Sequence, residues 1–152
     1  MKKLFSLCGS FSILLILFGS GICKAQLRPL PPAVKQAFAQ RFPRADSIAW
    51  QDRLIYVDAL FQEQGKACKA RFSSNGDWQF TEKAIPLEQL PSAVQDGLNK
   101  SKYADWQVNE VDHIDLPGKT EQYKIMVEKN DLQKKNLFFN PAGRLLKDNI
   151  TL

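Results

Sequence analysis

Apolar side chains recur every three to four positions in two stretches of the chain. This spacing puts them on one face of a helix and predicts one amphipathic helix in each stretch. Pro31 and Pro91 stand at the start of the two stretches, where proline is tolerated, and Pro43 ends the first. The two apolar sets are Leu30, Val34, Ala37, Phe38 and Phe42, and then Leu90, Val94, Leu98 and Tyr103.

Strict alternation of apolar and polar residues follows each predicted helix. Cys68, Ala70 and Phe72 alternate with polar neighbours, which is typical of a strand with one buried side. Asn75-Gly76 predicts a two-residue hairpin turn, because both positions of such a turn need a positive φ. Further strands are predicted at Ile48–Trp50, 54–61, Trp78–Phe80, Trp106–Val108, Tyr123–Val127, Leu137–Phe139 and Leu145.

The two halves of the chain resemble each other. Residues 30–34 (Leu-Pro-Pro-Ala-Val) match residues 90–94 (Leu-Pro-Ser-Ala-Val), and later matches are seven residues further apart. A long polar connection over residues 113–122, with Pro117-Gly118, accounts for that difference. The pattern predicts an α+β fold of two tandem repeats, about residues 29–83 and 87–150, within a single domain of residues 26–152. Each repeat is a helix followed by an antiparallel β-meander, and the two helices are expected to pack on one face of the sheet. The matched pairs are Tyr56 and Tyr123, Phe72 and Phe139, Gly76 and Gly143, and Trp78 and Leu145.

The first 25 residues have the three parts of a secretory signal peptide. Two lysines precede an uncharged apolar segment, and Cys23-Lys24-Ala25 places small residues where signal peptidase needs them. We expect cleavage after Ala25 and a periplasmic or secreted location, with no membrane association afterwards. Acylation of Cys23 ranks second, because Ile22 is a poor fit before a lipidated cysteine. An uncleaved membrane anchor is a third alternative.

Charge and cysteine content narrow the class of function. The net charge is +5, and the loss of Lys2, Lys3 and Lys24 with the signal peptide leaves +2, which is too little to predict nucleic-acid binding. Cys68 is then the one remaining cysteine, so the mature chain can form no intrachain disulfide. The fold must therefore be held by its apolar core.

The sequence carries weak candidates for catalysis or metal binding. Asp112-His113-Ile114-Asp115 could supply metal ligands, but a tight site needs three or four that converge. Cys68 and His113 are the one conceivable thiol dyad, and alternation turns Cys68 toward the core. No glycine-rich phosphate loop occurs. We therefore expect no metal, no cofactor and no enzymatic activity.

These residues and motifs resemble the PepSY-like, beta-lactamase-inhibitor-like family of exported bacterial domains. The resemblance rests on Leu-Pro-x-Ala-Val opening a helix, an aromatic strand and a strand-Asn-Gly-x-Trp hairpin, and it spans about residues 29–148. It implies tandem helix-plus-sheet repeats, a periplasmic or secreted location, and a role in binding or inhibiting other proteins. It supplies no catalytic residues.

Helices on one face leave the other face of the sheet open to solvent or to a partner. By alternation that face carries the candidate binding residues Lys69, Arg71, Lys124, Met126 and Phe138, with Ile55 and Val57 if the first hairpin keeps its register. In that case Asp58 would turn inward. The expected function is binding a protein or peptide outside the cytoplasm through this face. The alternative is a carrier that holds a small apolar ligand between sheet and helices. Neither the partner's identity nor the oligomeric state can be read from the sequence.

Overall fold

The computed structural model describes residues 29–150, which form two helices and one sheet. Helix α1 spans Pro32–Arg41 and helix α2 spans Ser92–Asn99. Pro31 and Pro91 occupy the positions directly before the first helical residues, where a missing N–H costs no hydrogen bond. Both helices bury their apolar stripes, as the spacing predicts: Val34, Phe38, Val94 and Leu98 are all buried.

Eight antiparallel strands form a single sheet, and their spatial order is their order along the chain. The first four follow α1 and the last four follow α2. Short 3₁₀ turns lie at Leu87–Gln89 and Pro117–Lys119. The strands are β1 Asp46–Asp52, β2 Tyr56–Glu63, β3 Lys66–Ser73, β4 Trp78–Ala84, β5 Gln107–Leu116, β6 Thr120–Asn130, β7 Gln133–Phe139 and β8 Leu145–Ile150. The α+β class is therefore confirmed.

Register shows that both helices pack on the same side of the sheet. Cross-strand partners share a face. One row of partners therefore links Cys68, which lies in the core under α1, through Lys83 and His113 to Tyr123, which lies in the core under α2. We call this side the helix face and the opposite side the open face.

The core has two parts on the helix face. One lies under α1 and includes Phe61 and Phe72, and the other lies under α2 and includes Ile125 and Phe139. Between them, Lys83 on β4 and His113 on β5 present polar side chains to the same side. The two apolar clusters are thus joined by backbone pairing over Thr81–Ala84 rather than by a continuous apolar layer.

Two local predictions are wrong. Residues 113–122 form no long loop: β5 runs on to Leu116 and β6 starts at Thr120, so the pair is a tight hairpin around Gly118, whose φ is +76°. The turn at Asn75-Gly76 is longer than two residues. It spans residues 74–77, and of the two only Gly76 has a positive φ. The Ser73 hydroxyl oxygen accepts the backbone N–H groups of Asn75 and Asp77, which closes this wider turn.

The predicted signal peptide, its cleavage after Ala25 and the lipoprotein alternative at Cys23 lie outside the described residues. Within residues 29–150, neither helix has the length and apolar character needed to cross a membrane.

Candidate binding face

The structure brings all five predicted binding residues onto the open face. Lys69 and Arg71 alternate on β3 and point away from the helices, since Cys68, Ala70 and Phe72 between them fill the core. Lys124 pairs with Phe138 across β6 and β7, and Met126 follows Lys124 on the same side. β4 and β5 separate the first pair from the other three. Glu82 on β4 nevertheless bridges Lys69 and Lys124, and Lys69, Arg71 and Phe138 line one groove.

Arg71 is bound to an acid that the sequence analysis left uncertain. Its Nε donates to Oδ1 of Asp58 at 2.7 Å and its Nη2 donates to Oδ2 at 2.9 Å. Asp58 is 4% exposed. These hydrogen bonds raise the pKa of the Arg71 guanidinium above its ordinary value, and the guanidinium also lies 3.6 Å from the Tyr56 ring centre. The Arg71 guanidinium is thus held in place, stacked on Tyr56, and its charge is balanced by Asp58.

The conditional prediction for the first hairpin is wrong. Val57 is fully buried on the helix face, and Ile55 precedes β2 in the connecting loop, where it is 78% exposed. Asp58 therefore lies on the open face beside Arg71 and does not turn toward the core. The register is fixed by the direct pairing of Asp58 with Arg71 across β2 and β3.

A second ion-pair network crosses the centre of the open face. Glu82 on β4 forms salt bridges with Lys69 and with Lys124, whose Nζ lies 3.4 Å from the Glu82 Oε2. Lys124 also contacts Asp112 Oδ2 at 2.8 Å. Burial by itself lowers the pKa of Lys124, but the hydrogen bond to Asp112 and the charge of Glu82 together raise it above its ordinary value. The network links β3, β4, β5 and β6, and it keeps Lys124 charged.

A groove of about 330 Å³ lies beside this network. Phe80 on β4 and Phe138 on β7 line its two sides, and Ile114 on β5 lies between them. Ile114 is only 5% exposed, although neither α1 nor α2 covers this face. Lys147 on β8 completes the groove, with its ammonium 4.2 Å from the Phe138 ring centre.

Alternation along the sequence does not predict two of these groove residues, Phe80 and Lys147, because the strands that carry them are irregular. By simple alternation, Phe80 would share the face of Trp78, and Lys147 would share that of Leu145. A register shift in β4 pairs Trp78 with Phe72 but Phe80 with Arg71. The equivalent shift in β8 pairs Leu145 with Phe139 but Lys147 with Phe138. Each β-bulge turns the second residue to the open face, and no sequence signal marked either bulge.

The other chemical candidates are brought together only in part: Asp115 Oδ1 lies 3.9 Å from His113 Nδ1, but Asp112 lies elsewhere. Asp112 and His113 are neighbours on β5 and therefore point to opposite faces. His113 Nε2 lies 2.6 Å from Glu121 Oε2 on the helix face, whereas Asp112 contacts Lys124 on the open face. Among residues 29–150, no three His, Cys, Asp or Glu side chains are grouped so that they could hold a metal.

Cys68 and His113 do not form a dyad. They share the helix face, but the strand carrying Lys83 lies between them, which separates them by roughly 10 Å. Cys68 is 6% exposed in the core under α1, as predicted from alternation. Burial raises the pKa of its thiol above the ordinary value. The thiol is therefore neutral at physiological pH and packs as a small apolar group.

The family model described as "Putative beta-lactamase-inhibitor-like, PepSY-like" matches residues 55–147. The chain belongs to this PepSY-like family. The match begins just before β2 and ends within β8, so it includes both ion-pair systems and the groove. No curated protein matches the chain.

Crystal structures of Bacteroides proteins have the same PepSY-like fold. A BLIP-like protein from Bacteroides fragilis aligns with a TM-score of 0.73 and 26% identity, covering 83% of this chain and 89% of its own. A DUF2874 family protein from Bacteroides ovatus aligns with a TM-score of 0.72 and 29% identity over 79% and 86% of the two chains. A third structure, described as "putative periplasmic proteins" from Bacteroides eggerthii, has a TM-score of 0.72 and 26% identity over 79% and 88%. The descriptions of the Bacteroides fragilis and Bacteroides ovatus proteins name a family, that of the Bacteroides eggerthii protein names a cellular location, and none names a catalytic activity.

Proposed function

We propose that this PepSY-like chain is a non-enzymatic, exported binding module that holds a protein or peptide against the open face of its sheet. The observation that carries the proposal is the groove between Phe80 and Phe138, on the face that neither helix covers. A sheet face that met only water would be expected to alternate polar residues there, and this one keeps Ile114 nearly buried instead.

The chemistry of the open face fits a protein interface. Arg and aromatic side chains are enriched at the centres of such interfaces, and here Arg71 lies within cation–π distance of both Tyr56 and Phe80. The stacked guanidinium is held by Asp58, so little side-chain entropy remains to be lost on binding. A rigid, partly apolar surface of this kind favours association.

The space between helices and sheet favours a surface site over an internal one. Phe72 and Phe139, at the centres of the two core clusters, are fully buried and fill that space. We therefore place the binding site on the open face rather than in a carrier cavity. The names BLIP-like and beta-lactamase-inhibitor-like also associate this family with protein partners.

Export is part of the proposal. The periplasmic description of the Bacteroides eggerthii structure agrees with a secretory signal over residues 1–25. N-terminal sequencing of the secreted protein should begin at Gln26. A mature chain that still carries residues 1–20 would contradict cleavage, and a diacylated Cys23 would show the lipoprotein route instead.

We also propose that the domain arose from two tandem repeats, residues 29–83 and 87–150. Equivalent contacts support this. A Cβ at Gly76 would lie 2.9 Å from the Ala33 carbonyl oxygen, and one at Gly143 would lie 1.9 Å from that of Ala93. Each half thus packs a β-turn glycine against the same position of its helix. The paired bulges that expose Phe80 and Lys147 are a second equivalence.

The binding function is tested by affinity capture from periplasmic extract. Phe138→Asp should abolish capture of a partner that the wild-type protein retains, because it places a charge at the centre of the proposed contact. Lys35→Asp on exposed α1 is the matched control and should leave capture intact. Both variants must keep the wild-type melting temperature to within a few degrees. Equal capture by the wild type and Phe138→Asp would reject the open face as the binding site.

A further inference from the structure

We propose that the groove on the open face selects an internal peptide segment that carries an aromatic side chain next to an acidic one, with the carboxylate bound by Lys147. This inference rests on the proposed binding function and names the chemistry of its partner. It is argued from the charge balance of the face and from the shape of the groove.

The charged residues that line the groove, taken with their ion-pair partners, are matched except at one position; Glu110 on β5 shares the open face but lies outside the groove. Asp58 neutralises Arg71, and the acids Glu82 and Asp112 neutralise Lys69 and Lys124. Of the cations that line the groove, Lys147 is the one that forms no ion pair within residues 29–150. Counting these seven residues, four cations face three acids, so the groove has an excess charge of +1 at Lys147.

The groove also offers an apolar floor of limited width. Phe80 and Phe138 stand on strands separated by β5 and β6, so their strands lie roughly 14 Å apart across the sheet, and the register offsets the two residues by a further four positions along the strands. Ile114 lies on the floor between them, and the small part of its side chain that is exposed lines the groove. A groove of about 330 Å³ has room for a single aromatic side chain over Ile114 together with the neighbouring backbone.

An internal segment fits better than a chain terminus. A terminal carboxylate is commonly held by backbone N–H groups arranged as a nest. All four strands from β4 to β7 are interior to the sheet, and Ile114 and Phe138 lie in stretches whose backbone is paired with the neighbouring strands. The groove cation that forms no ion pair within residues 29–150 is the Lys147 ammonium, and a side-chain carboxylate can reach it while the adjacent aromatic ring lies over Ile114.

The test uses four small probes in place of the unidentified partner. They are N-acetyl-Asp-Phe-amide, its Asn-Phe analogue without the charge, its Asp-Ala analogue without the ring, and N-acetyl-phenylalanine, whose carboxylate is terminal. Binding to the full mature protein is followed by ¹H–¹⁵N NMR shifts at Ile114, Phe138 and Lys147. The Asp-Phe probe should bind about fivefold more tightly than Asn-Phe, the upper range for one exposed ion pair. This preference should vanish in concentrated salt.

Two variants locate the carboxylate. In Lys147→Gln the Asp-Phe and Asn-Phe probes should bind equally well, because the unmatched cation is gone. Lys134→Gln is the matched control: it removes a lysine from the same face of the sheet, on the Phe138 strand, but outside the groove. Lys134→Gln should keep the full preference. Lys147 is exposed, so neither substitution should unfold the protein.

Equal binding of Asp-Phe and Asn-Phe to the wild type would overturn the inference, as would no binding of either probe at millimolar concentration. Tighter binding of N-acetyl-phenylalanine than of Asp-Phe would overturn the internal-segment assignment. In each of these cases the proposed function would survive if capture of the protein partner still depended on Phe138. If capture does not depend on Phe138 but Lys147 still discriminates the probes, the groove inference stands and the proposed protein-binding role fails.

Discussion

Arg71 binds both carboxylate oxygens of Asp58 across β2 and β3, at 2.7 Å and 2.9 Å. The acid is buried and the guanidinium is about three-quarters buried against its neighbours. Such a pair contributes modestly as a pair, but either member alone in that position is costly. This relationship makes Arg71 a structural residue of the open face as well as a candidate contact.

Arg71→Ala should lower the free energy of unfolding by about 3 kcal/mol, because it leaves the Asp58 carboxylate buried without a counter-charge. Urea denaturation of the purified variant measures this loss. The double variant Asp58→Asn, Arg71→Ala should recover part of it, since the uncompensated charge is removed. If Arg71→Ala unfolds within 0.5 kcal/mol of the wild type, as is usual for surface substitutions, the pair is not structural.

Gly97 in α2 packs backbone to backbone against the β7–β8 turn. A Cβ at Gly97 would lie 2.0 Å from the carbonyl oxygen of Gly143, which is far inside contact distance. Gly97→Ala should therefore destabilise the protein by more than about 2 kcal/mol, although Gly→Ala inside a helix ordinarily stabilises by about 1 kcal/mol. Thermal unfolding by circular dichroism gives the sign directly.

Gly65→Ala provides the comparison for Gly97→Ala. Gly65 has a φ of +73° but nothing within 4 Å of its would-be Cβ. Its substitution should cost only the 1–2 kcal/mol of a left-handed alanine. A Gly97→Ala variant that is as stable as the wild type, or more so, would show that α2 does not approach the turn this closely.

Cys68 should react slowly with a thiol reagent in the native protein and rapidly in urea, because it is buried and its pKa is raised. The same shift has a consequence for stability. The folded state keeps the thiol protonated above its ordinary pKa of 9.0, so the free energy of unfolding should fall as the pH rises past that value. Urea titrations at several alkaline pH values test this, and Cys68→Ala should show a shallower decline over that range. Fast labelling of the native protein would contradict the burial of Cys68.

The sequence predicts those parts of the fold that follow a regular period. The helical spacing of Val34 and Phe38 and the alternation around Cys68 both appear in the structure as expected. These signals are strong because one face of a helix or strand must be apolar for the core to form. They also place the five predicted residues on one face.

The remainder of the site depends on departures from that period. Phe80 and Lys147 reach the open face because a bulge lies just before each of them, and a bulge reverses the face of every later residue. The Pro117-Gly118 pair predicts a loop that includes Ile114, whereas in the structure β5 continues through Leu116. The burial of Asp58 on the open face could not be predicted from alternation either, because an acid is buried only when its partner, here Arg71, lies opposite it. Such pairings between distant residues are not encoded in local alternation.

The two halves should unfold as one cooperative unit, although their apolar clusters are separate. Each half is about 60 residues long, a size at which an isolated unit buries too little surface for robust stability. The β4–β5 pairing at Thr81–Ala84 joins the halves, and losing either one would expose a sheet edge on the other. Trp50 and Trp78 report on the first half and Trp106 on the second.

This cooperativity can be measured in the full mature chain with variants that keep tryptophan in only one half at a time. Trp106→Phe leaves reporters only in the first half, and the double variant Trp50→Phe, Trp78→Phe leaves one only in the second. In each variant the urea transition by fluorescence should coincide with that by far-UV circular dichroism. Adding Val34→Ala, which removes a fully buried side chain under α1, should cost about 2 kcal/mol and shift both reporters by the same amount. If Val34→Ala moves the first-half transition while that of Trp106 stays in place, the halves are independent folding units and the single-domain interpretation fails.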